Sequence, residues 1–198
     1  MHGWDSFIVS PVRSRYDNTK KVGDVDLILN TDIFTHKNVS NNAIVVGLPK
    51  NIKTNIQIGD EVVIHHNVFR RWHDVRGKEQ NSRSFFSEDK YFVGEDQLYI
   101  YKHKDEWKSL DGYCFVKPIA NNDMLSLDKE KPLVGVLKYS NEVLEDKGIN
   151  VGDKVGFTPG SEFEFIIDGE RVYRVRTNVI TIKYEYEGEE REYNPSWL

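Results

Sequence analysis

Cysteine is almost absent. The single Cys114 excludes an internal disulfide and fits a reducing compartment. No apolar run approaches the ~18 residues that a membrane-spanning helix requires. The opening Met1-His2-Gly3-Trp4-Asp5 has no basic stretch leading into an apolar core, so no secretory signal is expected. A cytoplasmic protein without a membrane partner is the expectation. Basic charge is also short: 27 Lys and Arg face 32 Asp and Glu, a net charge of −5 that makes nucleic acid an unexpected general partner. Helix signals are scarce. Ser140-Asn141-Glu142-Val143-Leu144-Glu145-Asp146-Lys147-Gly148, with Ser as cap and Gly as stop, predicts one or two turns. Catalytic patterns are missing as well: no Gly-rich phosphate loop, no paired carboxylates and no Ser/His/Asp grouping stand out, so no enzyme activity and no cofactor are expected.

What is present is strand. Short runs rich in Val, Ile, Tyr and Phe recur between turn residues, among them Phe7-Ile8-Val9, Ala43-Ile44-Val45-Val46, Val62-Val63-Ile64, Leu98-Tyr99-Ile100-Tyr101, Phe115-Val116 and Phe163–Ile167. β-branched and aromatic side chains suit a pleated surface, and these runs have strand length. Asp168-Gly169 between two such runs predicts a tight hairpin, because both turn positions need positive φ. The fold class is therefore all-β, built as small barrels or sandwiches.

Charge and pattern divide the chain in two. Residues 1–108 carry 16 basic and 15 acidic residues, net +1, and all six His; residues 109–198 carry 11 and 17, net −6. Three blocks repeat in the same order. Phe7-Ile8-Val9-Ser10-Pro11-Val12 matches Cys114-Phe115-Val116-Lys117-Pro118-Ile119 at an offset of 107. Ile56-Gln57-Ile58-Gly59-Asp60-Glu61-Val62-Val63-Ile64 matches Ile149–Phe157 at 93, and Asp96–Tyr101 matches Thr177–Ile182 at 81. Falling offsets mean longer loops in the first copy, as a duplicated domain tolerates. Domains at 1–108 and 109–198 follow. Gly59-Asp60 and Gly152-Asp153 read as structural turns after an apolar strand end, Gly supplying positive φ and Asp bonding nearby N–H groups.

In order and spacing these blocks resemble the GroES-type co-chaperonin family, twice over. That family's barrel opens on a strand like Asp5–Val9, continues through a flexible loop with an aliphatic patch, and resumes on a strand like Ala43–Gly47. It then runs through an apolar-x-apolar-Gly-Asp strand like Ile56–Ile64 and ends on one like Glu95–Tyr101. The second copy is similar from Gly112 to Lys183. The resemblance implies two tandem GroES-like barrels and a lid function on an ATP-hydrolysing chaperonin ring, assisting protein folding as a homo-oligomer. By the same resemblance Leu27, Ile28 and Leu29 would dock in the chaperonin groove, with Met124, Leu125 and Leu127 as a poorer second set. Three consecutive aliphatics suit a covered strand equally well.

Two departures stand beside this. Leu48–Asn55 leaves little room for the family's roof hairpin, which resembles some phage-encoded relatives and would place the protein in a host cytoplasm. Two domains per chain fit a sevenfold ring awkwardly. A structural ring or scaffold protein, for example a virion component reusing the fold, is the alternative. An alcohol-dehydrogenase-type enzyme with such a barrel would need a dinucleotide domain, and its Gly-rich turn is missing.

The remaining constellation is the extra loop of the first copy. His65, His66 and His73 lie near Arg70, Arg71, Trp72, Arg76, Lys78, Arg83, Phe85 and Phe86. Adjacent His65 and His66 in a strand would face opposite ways, so no metal site is expected. The basic, aromatic loop suits nucleic acid or an acidic protein surface, or else a solvated insertion or subunit contact. Cys114, within a strand pattern, reads as a small buried hydrophobe. The tail, Tyr184–Tyr193, alternates acidic and aromatic residues as a polar hairpin or edge strand would, and Trp197 is a candidate anchor on a neighbour.

Overall fold

The computed structural model describes residues 2–16, 19–22, 25–28, 39–122, 128–185 and 188, with backbone alone at 19–22 and 25–28. Met1–Glu106 and Trp107–Leu198 form two compact units. Both are nearly all β.

The first unit holds β1 (His2–Gly3), β2 (Phe7–Pro11), β3 (Thr19–Val22), β4 (Val25–Ile28), β5 (Asn42–Pro49), β6 (Glu61–Ile64), β7 (Arg71–His73), β8 (Glu79–Asn81), β9 (Phe85–Ser87), β10 (Lys90–Val93) and β11 (Leu98–His103). β12 (Glu106–Ser109) crosses the boundary. The second unit holds β13 (Tyr113–Ala120), β14 (Glu130–Tyr139), α1 (Glu142–Glu145), β15 (Lys154–Phe157), β16 (Phe163–Ile167), β17 (Glu170–Arg176) and β18 (Ile180–Lys183).

Six strands of the first unit lie in the order β11-β6-β5-β2-β10-β9, all antiparallel, and β1 pairs in parallel with the end of β5. The second unit repeats that order as β18-β15-β14-β13-β17-β16, again antiparallel throughout. Register repeats with it. Val9 pairs with Val45 and Val116 with Leu137, offsets of 116 − 9 = 107 and 137 − 45 = 92. A bulge follows Ile8 in one unit and Phe115, its counterpart, in the other. Among the described residues neither sheet closes on itself, so hydrogen bonding alone gives two open sheets.

The last block corrects the sequence alignment by one residue. Tyr101 pairs with Val62 and Lys183 with Val155, so the true offset is 183 − 101 = 82 rather than 81. A 3-10 turn, Glu95–Gln97 or Thr177–Val179, precedes each last strand. Val179 therefore belongs to a turn, and its apolar character had suggested strand.

The central strands are covered on both faces. Phe7, Ile8 and Val9 are buried, as are Cys114, Phe115 and Val116. This is why both stretches read as continuous apolar runs rather than alternating ones. Each fully buried side chain of this kind contributes about 1.5–3 kcal/mol. Cys114 and Val116 pack with Leu137, Leu144, Val155 and Val175 on one face. On the other, the Phe115 ring meets Tyr139 and Phe165 edge-on, 6.1 Å between centroids in each case. Burial pushes the Cys114 thiol up to about 12, leaving it protonated and inert at neutral pH.

The hairpin at Asp168-Gly169 forms, with φ of 49° and 77° and Ile167 paired to Glu170. The short helix is capped by Asn141 rather than Ser140: Asn141 Oδ1 accepts from Leu144 N at 3.0 Å.

Candidate interaction site

The Gly-Asp turns have the same construction in both units. Gly59 and Gly152 sit at φ of 98° and 91°. Gly59 N donates to Val45 O and Gly152 N to Leu137 O, both at 2.8 Å. Asp60 Oδ2 accepts from Gln57 N and Asp153 Oδ2 from Asn150 N, both at 2.7 Å. A base from the last strand completes each turn: His103 Nδ1 lies 2.8 Å from Asp60 Oδ1, and Lys183 Nζ lies 2.6 Å from Asp153 Oδ2. Partial burial works to raise the Asp153 carboxyl, but Lys183 and the Asn150 N–H outweigh it and hold the group below its ordinary value. With one carboxylate oxygen of each accepting a backbone N–H three residues earlier, these aspartates build turns. Ile58 and Val151 are not strand ends as their sequence suggested. They are exposed turn tips, 58% and 60% accessible.

The aliphatic stretch of the first unit lies in the connection between β2 and β5. Leu27 and Ile28 belong to β4, whose backbone pairs with β3 in register Lys20↔Leu27 and Thr19↔Ile28. The two strands form a ribbon of their own, outside the six-stranded sheet. Leu27 and Ile28 are thus paired in a separate two-stranded ribbon, called the arm, rather than in a strand of the main sheet. Leu29 lies outside the described residues, as do Met124, Leu125 and Leu127 of the second unit.

Arg15 and Tyr16 fix the root of that arm. Tyr16 forms an isolated bridge to Val39, and Ser40 N donates to Arg15 O at 3.0 Å. The Arg15 guanidinium donates through Nε and Nη2 to Phe69 O, at 3.2 and 3.0 Å, and through Nη1 to Asn81 Oδ1 at 2.9 Å. It also lies over the Tyr91 ring, 5.2 Å from its centroid. The Tyr16 hydroxyl accepts from Arg71 N at 2.7 Å, and the Arg71 guanidinium sits 4.9 Å from the Tyr16 ring. The second unit uses the equivalent tyrosine. Tyr173 matches Tyr91 at the offset of 82 set by Val9↔Tyr91 and Val116↔Tyr173. Arg171 lies 4.9 Å from the Tyr173 ring, and both groups donate to Glu130, where the shorter connection ends. Asn121 N donates to Lys129 O at 2.9 Å and closes it. An Arg–Tyr stack thus roots the same connection in both halves. Sequence reasoning missed it because Arg15 and Phe69 are 54 positions apart, with no local pattern linking them.

Replacing Arg15 with Met keeps the apolar stem but strips the Phe69 carbonyl and Asn81 of their donor. The expected cost is about 2 kcal/mol, since hydrogen bonds from a charged donor exceed neutral ones. Hydrogen exchange should then speed at the Ser40 amide while the β14 amides stay protected.

The insertion of the first unit contains the β7–β8 ribbon. His65 and His66 are not in a strand. His65 caps a 3-10 turn, its Nδ1 accepting from Asn67 N at 3.0 Å, and the two rings stack 4.3 Å apart instead of facing opposite ways. Among the described residues no group of three His, Cys, Asp or Glu side chains could hold a metal ion, and no helix is long and apolar enough to cross a membrane. No protein-family model matches this chain, and no curated protein matches it significantly in sequence.

Proposed function

We propose that this chain is a tandem co-chaperonin-like protein. Two GroES-like barrels, in this reading, present the arm over Leu27, Ile28 and Leu29 to a groove on an ATP-hydrolysing chaperonin ring, and the protein acts as a lid without chemistry of its own. One observation carries the reading: a six-stranded order with matching bulges occurs twice, and the aliphatic arm sits between its first two strands in the longer copy. Three aliphatics buried in a partner groove contribute roughly 25 cal/mol per Å2, less the cost of ordering them. Several arms presented by one assembly multiply a weak contact into a tight one.

The test is native mass measurement of the protein mixed with an ADP-bound chaperonin ring. Wild type should form a capped complex. Leu27→Asp with Ile28→Asp should weaken capture by at least about 100-fold, because each charge would enter an apolar groove unpaired. No capture by wild type, or capture indifferent to the double substitution, would refute the lid reading.

The structural-ring alternative is favoured by the connection after β5. Instead of a roof hairpin, β1 runs beside Leu48 and Pro49, and Lys50 N donates to Gly3 O at 3.0 Å. Recovery of the protein in purified virus particles would support that alternative, and its absence from them would remove it.

A further inference from the structure

The β7–β8 ribbon has a stiff, exposed tip. Asp74 Oδ1 accepts from Arg76 N and Lys78 N, both at 2.9 Å, and Asp74 N donates to Lys78 O at 3.0 Å. Gly77 takes φ of 75° and donates to Asp74 O. Val75, held on this turn, is fully exposed. Trp72 Nε1 donates to Asn81 O at 3.2 Å, which fixes the indole while 48% of the residue stays accessible. Phe85 and Phe86 follow on β9, both exposed.

Charge at this ribbon is unbalanced in what remains available. Residues 65–93 carry six basic and four acidic residues. Asp74 is occupied by the turn, and Glu79 pairs with Arg71 at 2.9 Å. Arg76, Lys78 and Arg83 are exposed and form no ion pair among the described residues. Apolar and aromatic groups interleaved with such cations fit an acidic segment that carries aromatic rings of its own.

This chain contains such a segment. Residues 185–192 hold five Glu and one Arg, for a net charge of −4, and Tyr184, Tyr186 and Tyr193 punctuate them. In sequence the segment follows β18, after which Tyr184 N donates to Lys154 O at 2.9 Å. We propose that the β7–β8 ribbon of one copy receives residues 185–193 of a second copy. Glutamates meet Arg76, Lys78 and Arg83, and tyrosine rings cover Trp72 and Val75. Ribbon and tail are different surfaces, so the contact is heterologous: each copy offers one half to each neighbour, and repetition closes a ring or extends a filament.

Two full-length variants test this. One carries Arg76→Glu, Lys78→Glu and Arg83→Glu; the other carries Glu187→Lys, Glu189→Lys and Glu190→Lys. Sedimentation should show wild type associating at low salt and dissociating as salt rises. Each variant alone should associate at least about tenfold more weakly, because like charges then face each other. Mixing the two should restore association, since the acidic ribbon of one variant then meets the basic tail of the other, while the unaltered basic ribbon meets the unaltered acidic tail. Restoration on mixing also shows that both variants are folded and that docking is between copies. A wild type that stays monomeric at low salt, a mixture that stays dissociated, or a ribbon that instead holds a labelled single-stranded oligonucleotide at physiological salt would overturn the proposal.

Discussion

Phe115→Ala is expected to remove about 3–5 kcal/mol from the second unit, the range for emptying a buried Phe site. Phe115 is fully buried on the face of β13 opposite Cys114 and Val116, with two aromatic rings edge-on to it. Those edge contacts add about 0.5–1.5 kcal/mol each to the area lost from burial. A unit of ~90 residues holds only about 5–13 kcal/mol in total at 0.05–0.15 kcal/mol per residue. The substitution should therefore consume a large share of it. Register supplies the control. Ile8 occupies the equivalent site in the first unit, beside the equivalent bulge, so Phe115→Ile should cost clearly less than Phe115→Ala. Urea unfolding followed by hydrogen exchange separates the units: β13 and β14 should lose protection at lower denaturant, while β2 and β5 should not move.

Asn141→Leu should cost about 3–4 kcal/mol in the same unit. Asn141 is buried and joins three segments. Its Nδ2 donates to Tyr113 O at 2.6 Å and Thr177 Oγ1 at 2.7 Å, with Leu110 O and Asp111 O each 3.3 Å away. Its Oδ1 caps α1 through Leu144 N. Losing the cap costs about 1 kcal/mol, and leaving a buried carbonyl without its donor costs about 1–3 kcal/mol more. Asn141→Asp keeps the cap acceptor but turns a buried carboxylate oxygen toward the Leu110, Asp111 and Tyr113 carbonyls, so it should cost at least as much as Asn141→Leu. Equal melting midpoints for Asn141→Asp and wild type would show that the amide donor carries none of this stability.

Much of the sheet was legible in advance because its signals are local. Gly59-Asp60 and Gly152-Asp153 announce turns through residue chemistry alone, and Phe7–Val9 and Cys114–Val116 announce central strands through uninterrupted apolar character. The slip of one residue at Val179 had a physical source: Val179 and Ile180 are both β-formers, and only the 3-10 turn decides which begins the strand. The ribbon holding Leu27 and Ile28 is marked in sequence only by Gly23-Asp24 between Val22 and Val25, because Lys20, Lys21 and Asp26 dilute the strand signal on either side. Its root was not legible. Arg15 meets Phe69, Asn81 and Tyr91 only after the chain has folded, and no residue spacing encodes such a meeting. The same holds for His65, whose role as a cap required knowing that β6 ends at Ile64.

The unequal connections between the first two strands set an order of events. In the first unit 42 − 11 − 1 = 30 residues separate β2 from β5; in the second, 130 − 120 − 1 = 9 separate β13 from β14. Closing the longer loop costs about 1 kcal/mol more in chain entropy. The carboxyl-terminal half therefore finds its central strand pair at the lower price, even though a ribosome releases it last. The amino-terminal half spends longer with β2 unmated, beside a sibling whose strands share its pattern. The divergence of side chains between the two copies, Ile8 against Phe115 and Val63 against Gly156, then acts as a safeguard against exchanging partners.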